Sequence, residues 1–335
     1  MYETRIETRL APPRWLIVLL TLSVALPSAA ADPPATKSLN ALEISAALGD
    51  ELAPSVAFGG EVAFIAWEYA YSGTDHDVYF ALVDAYGNPV GFPVPVVTSS
   101  RWEGAPAVAY SKSSETFLLV WEERNTEGDL NVLGRLYHLN GSPVGGVLEI
   151  AADTGGQRRP VAAWGDDTWL VVWEHVVQFE PSINDLRASR LEDDGTVLGS
   201  EMVLASGSAD ESAPATAWGG SRFVVVWQDA GAGEYDIIAR TISPGGTLGG
   251  AVTVADWEYD QVRPALAYSP EAQNLLVVWE DHHWGWGEDW DIYSRRINAE
   301  GTAIGGLVGI SWDGPSPRTS PAVAYDRGNS EYQVV

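Results

Sequence analysis

Along this chain, apolar runs lead into tryptophan without the polar alternation of a half-exposed strand, as in Phe117-Leu-Leu-Val-Trp121 and Phe223-Val-Val-Val-Trp227. The landmark recurs at Trp67, Trp121, Trp173, Trp227 and Trp279. A strand written this way has both faces covered. Ahead of each run, small residues alternate with larger ones behind a proline: Pro54-Ser-Val-Ala-Phe58, Pro106-Ala-Val-Ala-Tyr110, Pro160-Val-Ala-Ala-Trp164, Pro214-Ala-Thr-Ala-Trp218, Pro264-Ala-Leu-Ala-Tyr268 and Pro321-Ala-Val-Ala-Tyr325. Beyond each tryptophan, a polar loop leads to a third segment such as Asp291-Ile-Tyr-Ser-Arg-Arg296. A turn follows (Asn140-Gly141, Asp193-Asp-Gly195, Asn298-Ala-Glu-Gly301), then a short run such as Val147-Leu-Glu-Ile150. Short runs rich in β-branched and aromatic residues are strands. The unit is therefore four strands in about 53 residues, and a repeat of that period decides the fold.

Tandem small sheets that cover one another's faces form a propeller, whereas a β-helix repeats at a shorter period and an immunoglobulin sandwich needs roughly 100 residues per unit. The sequence thus predicts an all-β propeller of four-stranded antiparallel blades starting near residues 54, 106, 160, 214, 264 and 321. Paired alanines (Ala107 and Ala109, Ala215 and Ala217, Ala265 and Ala267) suit an inner strand crowded around an axis. Each recurring tryptophan would bury roughly 150–250 Å², at most about 4–6 kcal/mol of apolar transfer. A residue present in every unit serves packing first.

The ends of the pattern carry their own expectations. Leu42-Glu-Ile44 precedes Pro54 as Leu148-Glu-Ile150 precedes Pro160, and reads as an outer strand able to close the ring from residues 41–46. Glu331–Val335 aligns with Asn274–Val278, so five complete blades and a truncated sixth are expected over 41–335. Arg5, Arg9 and Arg14 followed by apolar Trp15–Leu26 and small residues at Ala29 and Ala31 read as a signal peptide over 1–31, with 32–40 a short linker. The protein is then expected outside the cell or on its surface, without a membrane span in its mature part.

The chain has 46 acidic against 19 basic residues, a net charge of −27, and no cysteine. Nucleic acid is excluded as a natural partner. Disulfides and thiolate metal sites are excluded too, so packing must hold the fold of what is expected to be a monomer.

The phrasing from Val277 to Gly306 (Val-Val-Trp-Glu, then Asp-Ile-Tyr-Ser-Arg-Arg-Ile, then Gly-Thr-Ala-Ile-Gly-Gly) resembles the repeats of secreted bacterial β-propeller proteins loosely grouped as WD40-like. The resemblance spans residues 41–335 and implies the architecture. The Gly-His start and terminal Trp-Asp pair of cytoplasmic WD40 repeats are missing, so it implies nothing about scaffold functions.

Chemistry is expected on the face carrying the loops after second and fourth strands, where the sequence repeats least. Trp284, Trp286 and Trp290 fall in one such loop and Trp102, Trp257, Tyr259 and Trp312 in inter-blade connections, a set suited to stacking on a sugar or on an extracellular protein. Asp75, Asp77, Asp129, Asp289 and Asp291 recur at the start of third strands and are candidate Ca²⁺ ligands, though none has EF-hand spacing. Asp236 with Arg240, and Asp291 with Arg295, read as ion pairs along a strand. No hydrolase elbow, zincin motif or phosphate loop is present, and no catalytic residue is assigned. The leading expectation is a secreted binding module for carbohydrate or protein. The alternatives are an extracellular carbohydrate-active hydrolase, which needs paired carboxylates from different blades, and a structural repeat of a larger surface protein.

Overall fold

The computed structural model describes residues 44–45, 50–179, 182–231, 233–282, 290–311 and 317–335. Five antiparallel sheets of four strands follow in chain order: β1 Asp50–Phe58, β2 Val62–Ala70, β3 His76–Asp84 and β4 Pro89–Val97; β5 Glu103–Ser111, β6 Thr116–Arg124, β7 Leu130–His138 and β8 Pro143–Ala151; β9 Gln157–Gly165, β10 Thr168–Gln178, β11 Ile183–Glu192 and β12 Val197–Ala205; β13 Glu211–Trp218, β14 Phe223–Asp229, β15 Asp236–Ile242 and β16 Val252–Ala255; β17 Gln261–Ser269, β18 Asn274–Asp281, β19 Asp291–Ile297 and β20 Ala303–Ser311. A sixth sheet pairs β21 Val323–Asp326 with β22 Glu331–Val334. The molecule is the expected β-propeller, with five four-stranded blades and two strands of a sixth. No described helix is long and apolar enough to cross a membrane.

The uninterrupted apolar runs are explained by what each second strand touches. Leu118 and Val120 of β6 join the core shared with blade 3, beside Trp169 and Trp173, while Phe117, Leu119 and Trp121 join the core shared with blade 1, beside Phe64 and Phe80. Trp227 and Trp279 lie likewise between blades 3 and 4 and between blades 4 and 5. Each landmark tryptophan is essentially fully buried. Trp67 faces the same way, away from blade 2 and onto Ile44. Ile150 of β8 takes the equivalent place against Trp173.

The hairpins between third and fourth strands close on glycines with positive φ, including Gly141 (78°), Gly195 (90°) and Gly301 (79°). The N–H of each donates to the carbonyl three residues back. That left-handed step is cheap only for glycine, which is why these turns were legible. The strand arginines behave otherwise than expected. Arg240 donates to the carbonyls of Gly249 and of Leu204 in the preceding blade, and Arg295 to that of Val254, so they staple blades through backbone. Asp291 is paired with Arg318 at 3.0 Å.

Candidate functional site

The proline that opens each repeat marks a bulge. In all five blades the register between first and second strands breaks opposite the landmark tryptophan, at Leu52/Ser55 against Trp67, for example. Two residues then face one. The residue before proline takes a left-handed conformation in every copy: Ala53 (46°), Ala105 (46°), Arg159 (49°), Ala213 (51°), Arg263 (51°) and Ser320 (60°).

Proline has no N–H to leave unpaired, but the residue before it has one, and it points to the preceding blade. Ala105 N–H donates to Glu68 Oε2 (3.0 Å), Arg159 to Glu122 Oε2 (2.7 Å), Ala213 to Glu174 Oε1 (2.8 Å), Arg263 to Gln228 Oε1 (2.9 Å) and Ser320 to Glu280 Oε1 (2.5 Å). The acceptor is always the residue after the landmark tryptophan. A ring of latches therefore ties each blade to the next near the axis. Sequence reasoning missed it, although Trp-Glu recurs in four of the five copies. At Gly104 a Cβ would come within 2.4 Å of Glu68 Oε2, so this position needs glycine for the latch to pass.

Inside the ring lies a cavity of about 440 Å³, lined by all six bulge prolines, small neighbours such as Ala105 and Ala213, and two long side chains, Arg159 and Arg263. No carboxylate is among its lining residues. Arg263 Nη1 meets Glu280 at 3.0 and 3.2 Å. Arg159 Nη1 lies 3.4 Å from Glu174, which Arg158 approaches from the other side.

Three residues before each of the first five bulge prolines, a polar side chain is buried: Glu51, Glu103, Gln157, Glu211 and Gln261. The glutamines donate to carbonyls two and four residues back, Gln157 to Gly155 and Asp153 and Gln261 to Tyr259 and Trp257. The glutamates cannot donate unless protonated. Burial pushes Glu103 up to about 8 against the Ser99 hydroxyl that it accepts, and a hydrogen bond with Asp77 adds to the rise. Burial and the charges of Asp229, Asp185 and Asp210 push Glu211 up to about 7. Burial likewise lifts the latch residue Glu122 to about 7.

The predicted aromatic residues that the structure describes each have a ring neighbour. Trp290 stacks on His282 (4.6 Å, 20°), and His282 meets Tyr259 edge-on at 6.2 Å, so blade 5 carries a row of three half-exposed rings. Tyr259 holds φ at 76°, where Gly155 (102°) stands in blade 3. A bulky residue in that region is strained. Trp257 and Trp102, also half-exposed, each meet one ring, Tyr293 at 5.3 Å and His76 at 5.7 Å. Trp284, Trp286 and Trp312 lie outside the described residues, as does Asp289.

The candidate Ca²⁺ ligands do not converge. Asp75 and Asp77 belong to blade 1, the Asp129 N–H donates to Asn125 Oδ1 within a turn of blade 2, and Asp291 accepts from Arg318. Among the described residues no group of three or more His, Asp or Glu could hold a metal ion.

No family model and no curated protein matches the sequence. Solved structures do match in shape. A protein of unknown function from Dyadobacter fermentans DSM 18053 is 14% identical with a TM-score of 0.59, over 82% of this chain and 86% of its own. Bacillus subtilis levansucrase, solved with oligosaccharides, is 11% identical with a TM-score of 0.50 over 80% and 88%. A thermostable family-43 glycoside hydrolase is 12% identical with a TM-score of 0.47 over 81% and 96%. At these identities the likeness is one of fold.

Proposed function

We propose that the protein is an exported carbohydrate-binding propeller that holds a saccharide across the axial cavity and the ring row of blade 5. The observation that supports this most directly is Tyr259, a tyrosine kept where a sister blade has glycine and aligned with His282 and Trp290. Half-exposed rings in a row suit the C–H faces of successive sugars. Export rests on the leader read at 1–31, and N-terminal sequencing of the secreted protein would check it.

A glycan array, run with and without calcium, is expected to return saccharide ligands without a calcium requirement. Trp290→Ala should then weaken binding at least tenfold, about 1.4 kcal/mol, with little change in melting temperature. Trp257→Ala should do the reverse, because its ring packs on Tyr293. Loss of stability without loss of affinity at Trp290 would overturn the assignment.

Hydrolysis is the second reading. Glu68, Glu122 and Glu174 come from successive blades, and Glu122 holds its proton near neutrality beside the other two charges, an arrangement that could divide acid and base roles. The propeller is also the fold of levansucrase. Against it, no carboxylate lines the axial cavity. Release of reducing sugar from an array-positive glycan, abolished by Glu122→Gln, would establish this reading over simple binding.

A further inference from the structure

We infer that the axial cavity is an anion subsite, built by Arg159 and Arg263 to receive the carboxylate of a uronic acid carried on an otherwise neutral saccharide; the saccharide part of this inference rests on the function proposed above. The cavity wall is proline, alanine, serine and valine from six inner strands, and its only charged side chains are these two arginines. In a chain with 46 acidic residues, a wall whose charged side chains are both arginines is a local reversal of sign. At the corresponding bulge positions the other blades carry Ala53, Ala105, Ala213 and Ser320, so only blades 3 and 5 reach toward the axis.

Both guanidinium groups are held from behind and open in front. Glu174 and Glu280 are buried, with side-chain exposures of 0% and 2%, while Arg159 and Arg263 stand 62% and 60% exposed. The contacts to the glutamates engage Nη1 alone. Each arginine therefore presents its remaining N–H groups in the planar fork that matches a carboxylate. Charge balance favours an anion as well. Arg158 and Arg159 share the single Glu174, and the nearby Glu122, which takes the Arg159 backbone N–H, is held toward its neutral form by burial.

The ligand class follows from size and surroundings. Repulsion from a net charge of −27 disfavours a polyanion, but over more than about 8 Å it is screened at physiological salt, so one acidic group on a neutral chain is tolerated. Tyr259 of the ring row, in the connection before β17, and Arg263 of the cavity, at the bulge within β17, are four residues apart in sequence, which places one oligosaccharide within reach of both.

The test compares glucuronosyl-xylotriose with its carboxyl-reduced counterpart, in which the uronate has become glucose, by titration calorimetry on the full chain. The acid is expected to bind at least tenfold more tightly at physiological salt, where the long-range repulsion is screened, with the advantage shrinking as NaCl is raised toward about 1 M. Arg159→Gln with Arg263→Gln should remove the advantage, so that the acid then binds no more tightly than its carboxyl-reduced counterpart. Equal affinity for both compounds, or an advantage that survives the double variant, overturns the anion subsite and leaves carbohydrate binding standing. Failure of the acid to bind, with array-positive neutral glycans still bound, overturns it equally. Silence of the whole array together with this failure overturns both. Arg159→Gln should keep its melting temperature within a few degrees, since Glu174 retains Arg158 and the Ala213 latch, and this single variant, expected to lose part of the advantage, serves if the double variant does not fold.

Discussion

The melting temperature is expected to peak near pH 5 and to fall steadily as the pH is raised to 8. Glu103, Glu122 and Glu211 have ordinary values of 4.5 and are lifted in the folded protein to about 8, 7 and 7, first by burial in each case. A raised folded value means that the native state binds the proton more tightly than the unfolded chain. The stability this contributes is complete below about 4.5 and is lost as pH climbs through 7 to 8. Each group can contribute up to about 1.4 kcal/mol per pH unit inside its window. Asp77 and Asp236, also raised by burial, act in the same direction. His175 is lowered by burial, so its contribution is lost as pH falls below its ordinary 6.5, but it is one group against five. Below pH 4, Asp84 and Asp194, held low by hydrogen bonds from Asn88 and Thr196, bring the acid limb.

The repeat provides its own control for this result. Gln157 and Gln261 occupy the place of Glu103 and Glu211 and donate the bonds that a protonated glutamate would. Glu103→Gln with Glu211→Gln should raise the melting temperature at pH 8, change it little at pH 5, and so flatten the profile. A profile that rises toward pH 8, or a double variant with an unchanged slope, would refute the assignment.

These same positions show what could be read in advance. The blades were legible because burial on two faces writes uninterrupted apolar runs, and because the hairpin turns need glycine at a left-handed step; Trp121 and Gly195 carried that information by residue type alone. The bulge was half legible. Pro106 stood out as a repeated proline, but nothing in Ala105 announces a positive φ, since alanine is strained there and is held by a bond from another blade. The latch was present as the glutamate after each tryptophan, yet its meaning depends on a partner 35–40 residues away. The cavity arginines were illegible for a similar reason. Arg159 and Arg263 differ from their alanine equivalents only once the six inner strands are brought round one axis. Of the aromatic set, Tyr259 and Trp290 came together through His282, a residue that had no place in the stacking argument.

Removing a latch should be the most damaging single change away from the tryptophans, and Glu122 gives the cleanest contrast. Glu122→Ala leaves the part-buried Arg159 N–H, which reaches from blade 3 to blade 2, without its 2.7 Å acceptor. An unsatisfied donor of this kind costs about 1–3 kcal/mol, and the vacated volume beside buried Val120 and Trp121 adds to it. At about 2–4 °C per kcal/mol for a chain approaching this size, the melting temperature should fall by roughly 4–12 °C. Glu122→Gln should behave differently, because Gln228 already performs the same task for Arg263 at 2.9 Å. An amide oxygen accepts as well as a carboxyl oxygen and carries no charge to desolvate. The glutamine variant is therefore expected to match or exceed the parent at pH 8, where the native glutamate is largely ionised, and to match it at pH 5. Differential scanning calorimetry at both pH values decides the matter: a glutamine variant as unstable as the alanine variant would mean that Glu122 acts through its charge, and the ring of latches would have to be understood as a ring of ion pairs.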